Sequence, residues 1–147
     1  MGTGEVEIMI SPTGSNTIRE DKLGSGKHGA SRGKRKHKGV DFVCRPGQRC
    51  VAPISGRVVR TAKPYSDDDN YSGMVIEGEN LTVKLFYVSP AFGIVGDFVL
   101  QGDYIGDAQD ISAKYEPLVS PNLRLMIPHV HLEITNMNPN IFINIIG

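Results

Sequence analysis

Two fragments far apart in the chain, His37-Lys-Gly-Val-Asp41 and His129-Val-His131, hold three of its four histidines. Metal binding is the chemistry these residue types serve. Two neutral imidazoles and a carboxylate are a usual ligand set for catalytic zinc, with a fourth position left for water. The spacing agrees. Side chains alternate faces along a strand, so His129 and His131 emerge together, with Val130 and Leu132 turned away. Three protein ligands on zinc bring the pKa of its bound water toward neutrality. The imidazole left over acts beside it as general base or acid. That division of labour suits hydrolysis of an amide bond, which also needs an oxyanion donor such as a second histidine or a tyrosine. Because His129 and His131 share one face, the residues alone do not choose which of them is the ligand. His28 stands alone and is read as an ordinary surface or core histidine.

Strands must position these residues. Glycine and proline, 17 and 9 of 147 residues, punctuate short β-branched runs, the pattern of many strands joined by turns. Strands are expected at Gly4–Ile10, Gly39–Cys44, Gly56–Ala62, Gly73–Glu77, Leu81–Ser89, Phe98–Gln101 and Val130–Thr135. Corners are expected at Gly96-Asp97 and Gly102-Asp103. A turn of helix over Leu118–Leu125 is the one helical expectation. The prediction is a mainly β domain spanning 1–147, an antiparallel β-sheet core with long loops. At this length it buries a core without staples. No apolar run reaches the length of a membrane span.

Formal charge is zero, yet it is unevenly spread. Six Lys/Arg and no acids lie between Lys27 and Lys38, and Asp67-Asp68-Asp69 forms an acidic patch. Charge runs are commonly solvated loops. The basic run leads directly into His37, so it is also a candidate for an anionic ligand such as a sulfated glycan or a cell-wall polymer. Nucleic acid is not expected, because no aromatics are interleaved as stacking platforms. Cys44 and Cys50 flank a Pro46-Gly47 turn. They are either a small disulfide loop, which implies an oxidising compartment, or two reduced thiols. Asn70-Tyr-Ser72 and Asn80-Leu-Thr82 are glycosylation triplets of a kind that arises often by chance.

Four strings carry a family likeness: Lys36-His37-Lys-Gly-Val-Asp41-Phe42, Val51-Ala-Pro-Ile-Ser-Gly-Arg-Val58, Gly102-Asp-Tyr-Ile-Gly106 and Pro128-His-Val-His-Leu-Glu-Ile134. In order and spacing the chain resembles the lysostaphin-type zinc endopeptidases, which have an antiparallel β core and cut the peptide cross-bridges of bacterial peptidoglycan. The resemblance implies His37, Asp41 and His131 as ligands of Zn2+ and His129 as the catalytic histidine beside it. One departure concerns catalysis. Active members carry a further histidine on a central strand, and in Val83-Lys-Leu-Phe-Tyr-Val-Ser-Pro90 its place is assigned to Val88. Strand alternation turns Tyr87 to the other side, which leaves Tyr65, Tyr71 or His28 as replacements from loops.

Ser15-Asn-Thr-Ile-Arg19, Lys63-Pro-Tyr65 and Lys84-Leu-Phe-Tyr-Val-Ser-Pro90 resemble a narrower branch of the family, the chemotaxin-2 proteins. That likeness implies a secreted, cytokine-like ligand that keeps the fold and a zinc and has lost peptidase activity. The branch's disulfide positions are not kept: Glu20 and Ser25 stand where it has a bridge, and Cys44 lacks its distant partner near Ile10. The expectation is therefore a zinc-binding, secreted recognition protein, with catalysis lost or weak. Its partner is expected to be a cell-surface glycan, a receptor or peptidoglycan. The alternative is an active zinc endopeptidase acting on peptidoglycan cross-bridges. The first residues lack the regions of a signal peptide, so a cytoplasmic location stands as the alternative to a mature secreted domain.

Overall fold

The computed structural model describes residues 6–15, 20–21, 24–25, 31–32, 35–36, 39–115 and 126–146. In chain order the elements are β1 (Val6–Ile10), β2 (Glu20–Asp21), β3 (Gly24–Ser25), β4 (Ser31–Arg32), β5 (Arg35–Lys36), β6 (Val40–Val43), β7 (Arg49–Val51), β8 (Gly56–Ala62), β9 (Gly73–Glu77), β10 (Leu81–Phe86), β11 (Val88–Pro90), β12 (Phe98–Val99), β13 (Tyr104–Ala108), α1 (Ser112–Tyr115), β14 (His129–Met137) and β15 (Phe142–Ile146). The mainly β, antiparallel expectation is met. A six-stranded sheet runs β12-β8-β9-β10-β14-β6, and a second of three strands runs β11-β13-β7. The corners at Gly96-Asp97 and Gly102-Asp103 are present, each glycine at positive φ. The expected helical turn at Leu118–Leu125 lies outside the described residues, as does His28. So does most of the Lys27–Lys38 run.

Alternating burial explains why these sequences sit as they do. Along β10, Leu81, Val83 and Leu85 are buried in the core, while Thr82, Lys84 and Phe86 take the opposite face. β14 follows the same rule, with Val130 and Leu132 in the core and His129, His131 and Glu133 on the other face. Each buried Leu or Val contributes about 1.5–3 kcal/mol. A one-residue slip would turn all of them outward, so the core fixes the register.

Three features depart from the sequence expectation. First, β1 pairs with β15 in parallel, Val6 opposite Phe142 and Ile10 opposite Ile146. Parallel pairing joins segments through a long connection, so no local pattern announces it. Second, the single strand expected over Leu81–Ser89 is divided at Tyr87, whose φ is 70°. Leu85 and Val88 are both core residues with no exposed surface. The alternation therefore slips, and Phe86 and Tyr87 lie consecutively on the side away from the core. The Ser72 carbonyl accepts from the Tyr87 and Val88 amides at 2.8 and 3.2 Å, and the Tyr87 carbonyl accepts from Gln109 N at 2.8 Å. These bonds hold a backbone conformation that costs a tyrosine on the order of 1–3 kcal/mol.

Third, Cys44 and Cys50 are free, buried thiols and not a disulfide loop. The turn between them is present, with Gly47 at φ 79°, but both cysteines are recruited into the core. Burial pushes each thiol up to about 12, with Asp110 adding to it at Cys44, and Cys44 and Asp107 at Cys50. We expect both to resist iodoacetamide in the folded protein at about pH 8 and to react fully in denaturing urea, because the thiolate is the nucleophile. The folded-state pKa lies above the unfolded one, so their contribution to stability is complete below the ordinary thiol value of 9.0. It is lost as pH rises toward about 12. Rapid alkylation of the native protein would contradict this.

Candidate metal centre

Neighbouring strands bring three of the predicted residues into one cluster. Phe86 on β10 lies opposite His131 on β14, which lies opposite Asp41 on β6, so the three form one row across the sheet. Gly39, just before β6, makes the approach possible: a Cβ there would sit 2.1 Å from the Leu132 carbonyl oxygen. Asp41, His129 and His131 are 1, 3 and 7% exposed. His37 lies outside the described residues. Among the described residues no group of three or more His, Cys, Asp or Glu is arranged to hold a metal ion.

The hydrogen bonds assign the ring nitrogens. His129 Nδ1 is 2.7 Å from the Ile127 carbonyl oxygen. A carbonyl only accepts, so Nδ1 carries the proton and, in the neutral ring, Nε2 presents a lone pair. That Nε2 faces Asp41 Oδ2 at 3.5 Å. His131 lies between two carboxylates, with Nδ1 2.7 Å from Asp41 Oδ1 and Nε2 2.9 Å from Glu133 Oε1. A neutral His131 satisfies only one of them as a donor. The other contact sets a lone pair against a carboxylate unless a cation stands there, either a proton or a metal ion. Burial pulls the His131 pKa down, but hydrogen bonds and charge from Asp41 and Glu133 outweigh it and leave the pKa raised above the ordinary 6.5. A buried carboxylate with imidazole nitrogens facing it is a donor set that suits zinc, which takes N and O ligands.

The fold separates Val88 from its neighbour Tyr87. Val88, to which the sequence assigned the place of the further histidine, is fully buried in the core on the far side of the sheet. Tyr87, expected to face away, meets His129 edge-on, with ring centroids 5.4 Å apart and planes at 90°. Around it gather three more of the five tyrosines. Tyr65 stacks at 6.4 Å and Tyr71 meets Tyr87 edge-on at 6.2 Å. The Tyr65 hydroxyl lies 3.3 Å from that of Tyr87 and 2.9 Å from that of Tyr115. Tyr71 donates to the Asp110 carbonyl at 3.0 Å. Burial, first of all, raises the pKa of Tyr65 and of Tyr71. Their hydroxyls therefore stay protonated as donors.

Sequence reasoning missed Tyr115 and Glu133 as members of this neighbourhood. Tyr115 carried no signal. Glu133 did, because the alternation that pairs His129 with His131 extends to it.

This architecture has relatives. Residues 35–141 match peptidase family M23. Leukocyte cell-derived chemotaxin-2 of Mus musculus is 32% identical over 121 residues, covering 81% of this chain and 74% of that protein. The catalytic domain of a prophage-encoded M23 protein from Enterococcus faecalis superposes with a TM-score of 0.56 at 21% identity, covering 88% of this chain and 89% of that one. The catalytic domain of lysostaphin from Staphylococcus simulans does so at 0.50 and 22%, covering 78% and 77%. At such identity these two structures establish the fold alone. With the family match spanning most of the chain, the antiparallel sheet that sets Asp41 beside His131 is the lysostaphin-type fold, and the chain belongs to peptidase family M23.

Proposed function

We propose that the chain binds zinc through His37, Asp41 and His131 and works as a secreted recognition protein in which peptidase activity is lost or weak. One observation carries the metal reading: ring nitrogens of two buried imidazoles, Nε2 of His129 and Nδ1 of His131, converge on the carboxylate of Asp41. Zinc bound there would polarise a carbonyl and lower the pKa of a coordinated water. His129 is oriented to exchange a proton through Nε2, since the Ile127 carbonyl holds its Nδ1–H. The weakness lies in its neighbour. A second imidazole would titrate near neutral pH, whereas the ring against His129 is the phenol of Tyr87. The curated relative bears the name of a chemotaxin, which supports recognition of a receptor, a cell-surface glycan or peptidoglycan. The basic Lys27–Lys38 run suits an anionic partner.

One observation favours the alternative, an active endopeptidase for peptidoglycan cross-bridges. Tyr87 and Tyr65 bring hydroxyl donors to the His129 side of the cluster, and a tyrosine can stabilise an oxyanion. Two measurements separate the readings. Elemental analysis should find about one zinc per chain in wild type, reduced in His37→Ala, Asp41→Ala and His131→Ala; unchanged zinc in all three would refute the ligand set. Amine release from purified peptidoglycan should be weak or absent. Chelator-sensitive turnover that disappears in His129→Ala would establish the peptidase instead.

A further inference from the structure

His131 has two nitrogens, and something must decide which one faces Asp41. Its partner on the far side is Glu133, two residues on along β14 and therefore on the same face. Glu133 Oε1 sits 2.9 Å from His131 Nε2. The carboxylate is itself placed by the sheet. Lys84 lies directly opposite Glu133 in the β10–β14 ladder, with its Nζ 3.8 Å from Oε2. Two residues along the ladder, Phe86 lies opposite His131 and stacks on the imidazole, with centroids 5.7 Å apart and planes at 17°. The ring is thus held in plane by Phe86 and in orientation by Glu133, on a rigid ladder and not on a loop.

We propose that Glu133 is a positioning residue: it accepts the Nε2 proton of His131 and thereby fixes the tautomer that presents Nδ1 to an ion shared with Asp41. The physical reason is general. A metal-binding imidazole needs a bare nitrogen toward the ion, and an outer carboxylate that takes the other N–H fixes both ring orientation and tautomer and raises ligand basicity. Lys84 keeps that carboxylate aimed inward, and the stacked Phe86 ring resists a flip of the imidazole that would put carbons where its nitrogens stand. The inference rests on the zinc reading above, and goes beyond it by assigning which nitrogen binds and which side chain enforces the choice.

The test is zinc affinity, measured by competition with a chromophoric chelator, on the full chain of wild type, Glu133→Ala and Glu133→Gln. Glu133→Ala should bind about 10–100-fold more weakly. Glu133→Gln, whose amide oxygen still accepts the Nε2 proton, should recover most of the loss. Imidazole nitrogen NMR on the zinc-loaded wild type should find His131 protonated at Nε2, with Nδ1 on the metal, a signature that a merely structural glutamate would not move. Unchanged affinity in Glu133→Ala, or metal on Nε2, would overturn this inference and leave the zinc reading intact. A wild type that binds no zinc would overturn both. Should Glu133→Ala not fold, the Gln variant and the NMR assignment decide the matter.

Discussion

Tyr87→His should raise peptidoglycan hydrolysis by about 10²–10⁴-fold over wild type, the usual worth of a positioned general acid or base. Val88→His should raise it not at all. The two positions are adjacent, yet the break after β10 sends them to opposite sides of the sheet. The ring of Tyr87 already lies 5.4 Å from that of His129. Its backbone is at φ 70°, and histidine is among the non-glycine residues enriched at positive φ. Val88 has no exposed surface. An imidazole there would forfeit the burial of a valine and place polar nitrogens in an apolar core, costing about 2–5 kcal/mol together. Amine-release rates and urea midpoints for both variants check the pair. Activity gained by Val88→His and not by Tyr87→His would mean that position 88, and not 87, faces His129.

Zinc and protons should compete for the same place, so added zinc should stabilise the protein with a strong dependence on pH. In the metal-free protein the His131 pKa is raised. Its stabilising contribution is therefore complete below the ordinary imidazole value of 6.5 and is lost as pH climbs through the folded-state value. Zinc needs the deprotonated ring, so its contribution has the opposite slope and grows over that interval. With free zinc at about 1,000 times its Kd the gain is about 4 kcal/mol, or roughly 10 °C in Tm for a chain of this size. Differential scanning calorimetry across mildly acidic to mildly alkaline pH, with zinc or with chelator, checks both slopes. Asp41→Ala should flatten the zinc-dependent curve. A zinc effect of equal size at every pH would argue against His131 as a ligand.

Much of the fold and part of the site were legible in the sequence because period-two burial carries them. Gly56–Ala62 and Gly73–Glu77 coincide with β8 and β9, where alternating or fully buried apolar residues lie between clear turn residues. The same alternation put His129 and His131 on one face. It failed at Tyr87 for a physical reason. Leu85, Phe86, Tyr87 and Val88 are all hydrophobic, so a slip in phase leaves no trace in the pattern. Nor could it assign Cys44 and Cys50, because turn residues between them suit a bridge and a pair of core thiols equally. β7, β13 and β15 were not foreseen. β7 and β13 are set by pairing around Gly106, where a Cβ would lie 2.1 Å from the Ser89 carbonyl oxygen. β15 is set by a partner at the far end of the sequence.

The parallel ladder between β1 and β15 gives the protein a mechanical character. Val6 and Phe142 lie at one end of the ladder, Ile10 and Ile146 at the other. Tension entering the chain at Val6 and leaving at Ile146 therefore pulls the two strands past each other along their length. It does not peel them apart from one end. All the rungs carry the load together, so they must rupture as a group and not in succession. Resistance to forced unfolding is governed by the unfolding rate and not by the equilibrium stability. This ladder sets that rate for a pull along the chain, and the strands that hold Asp41 and His131 stay unloaded until it shears.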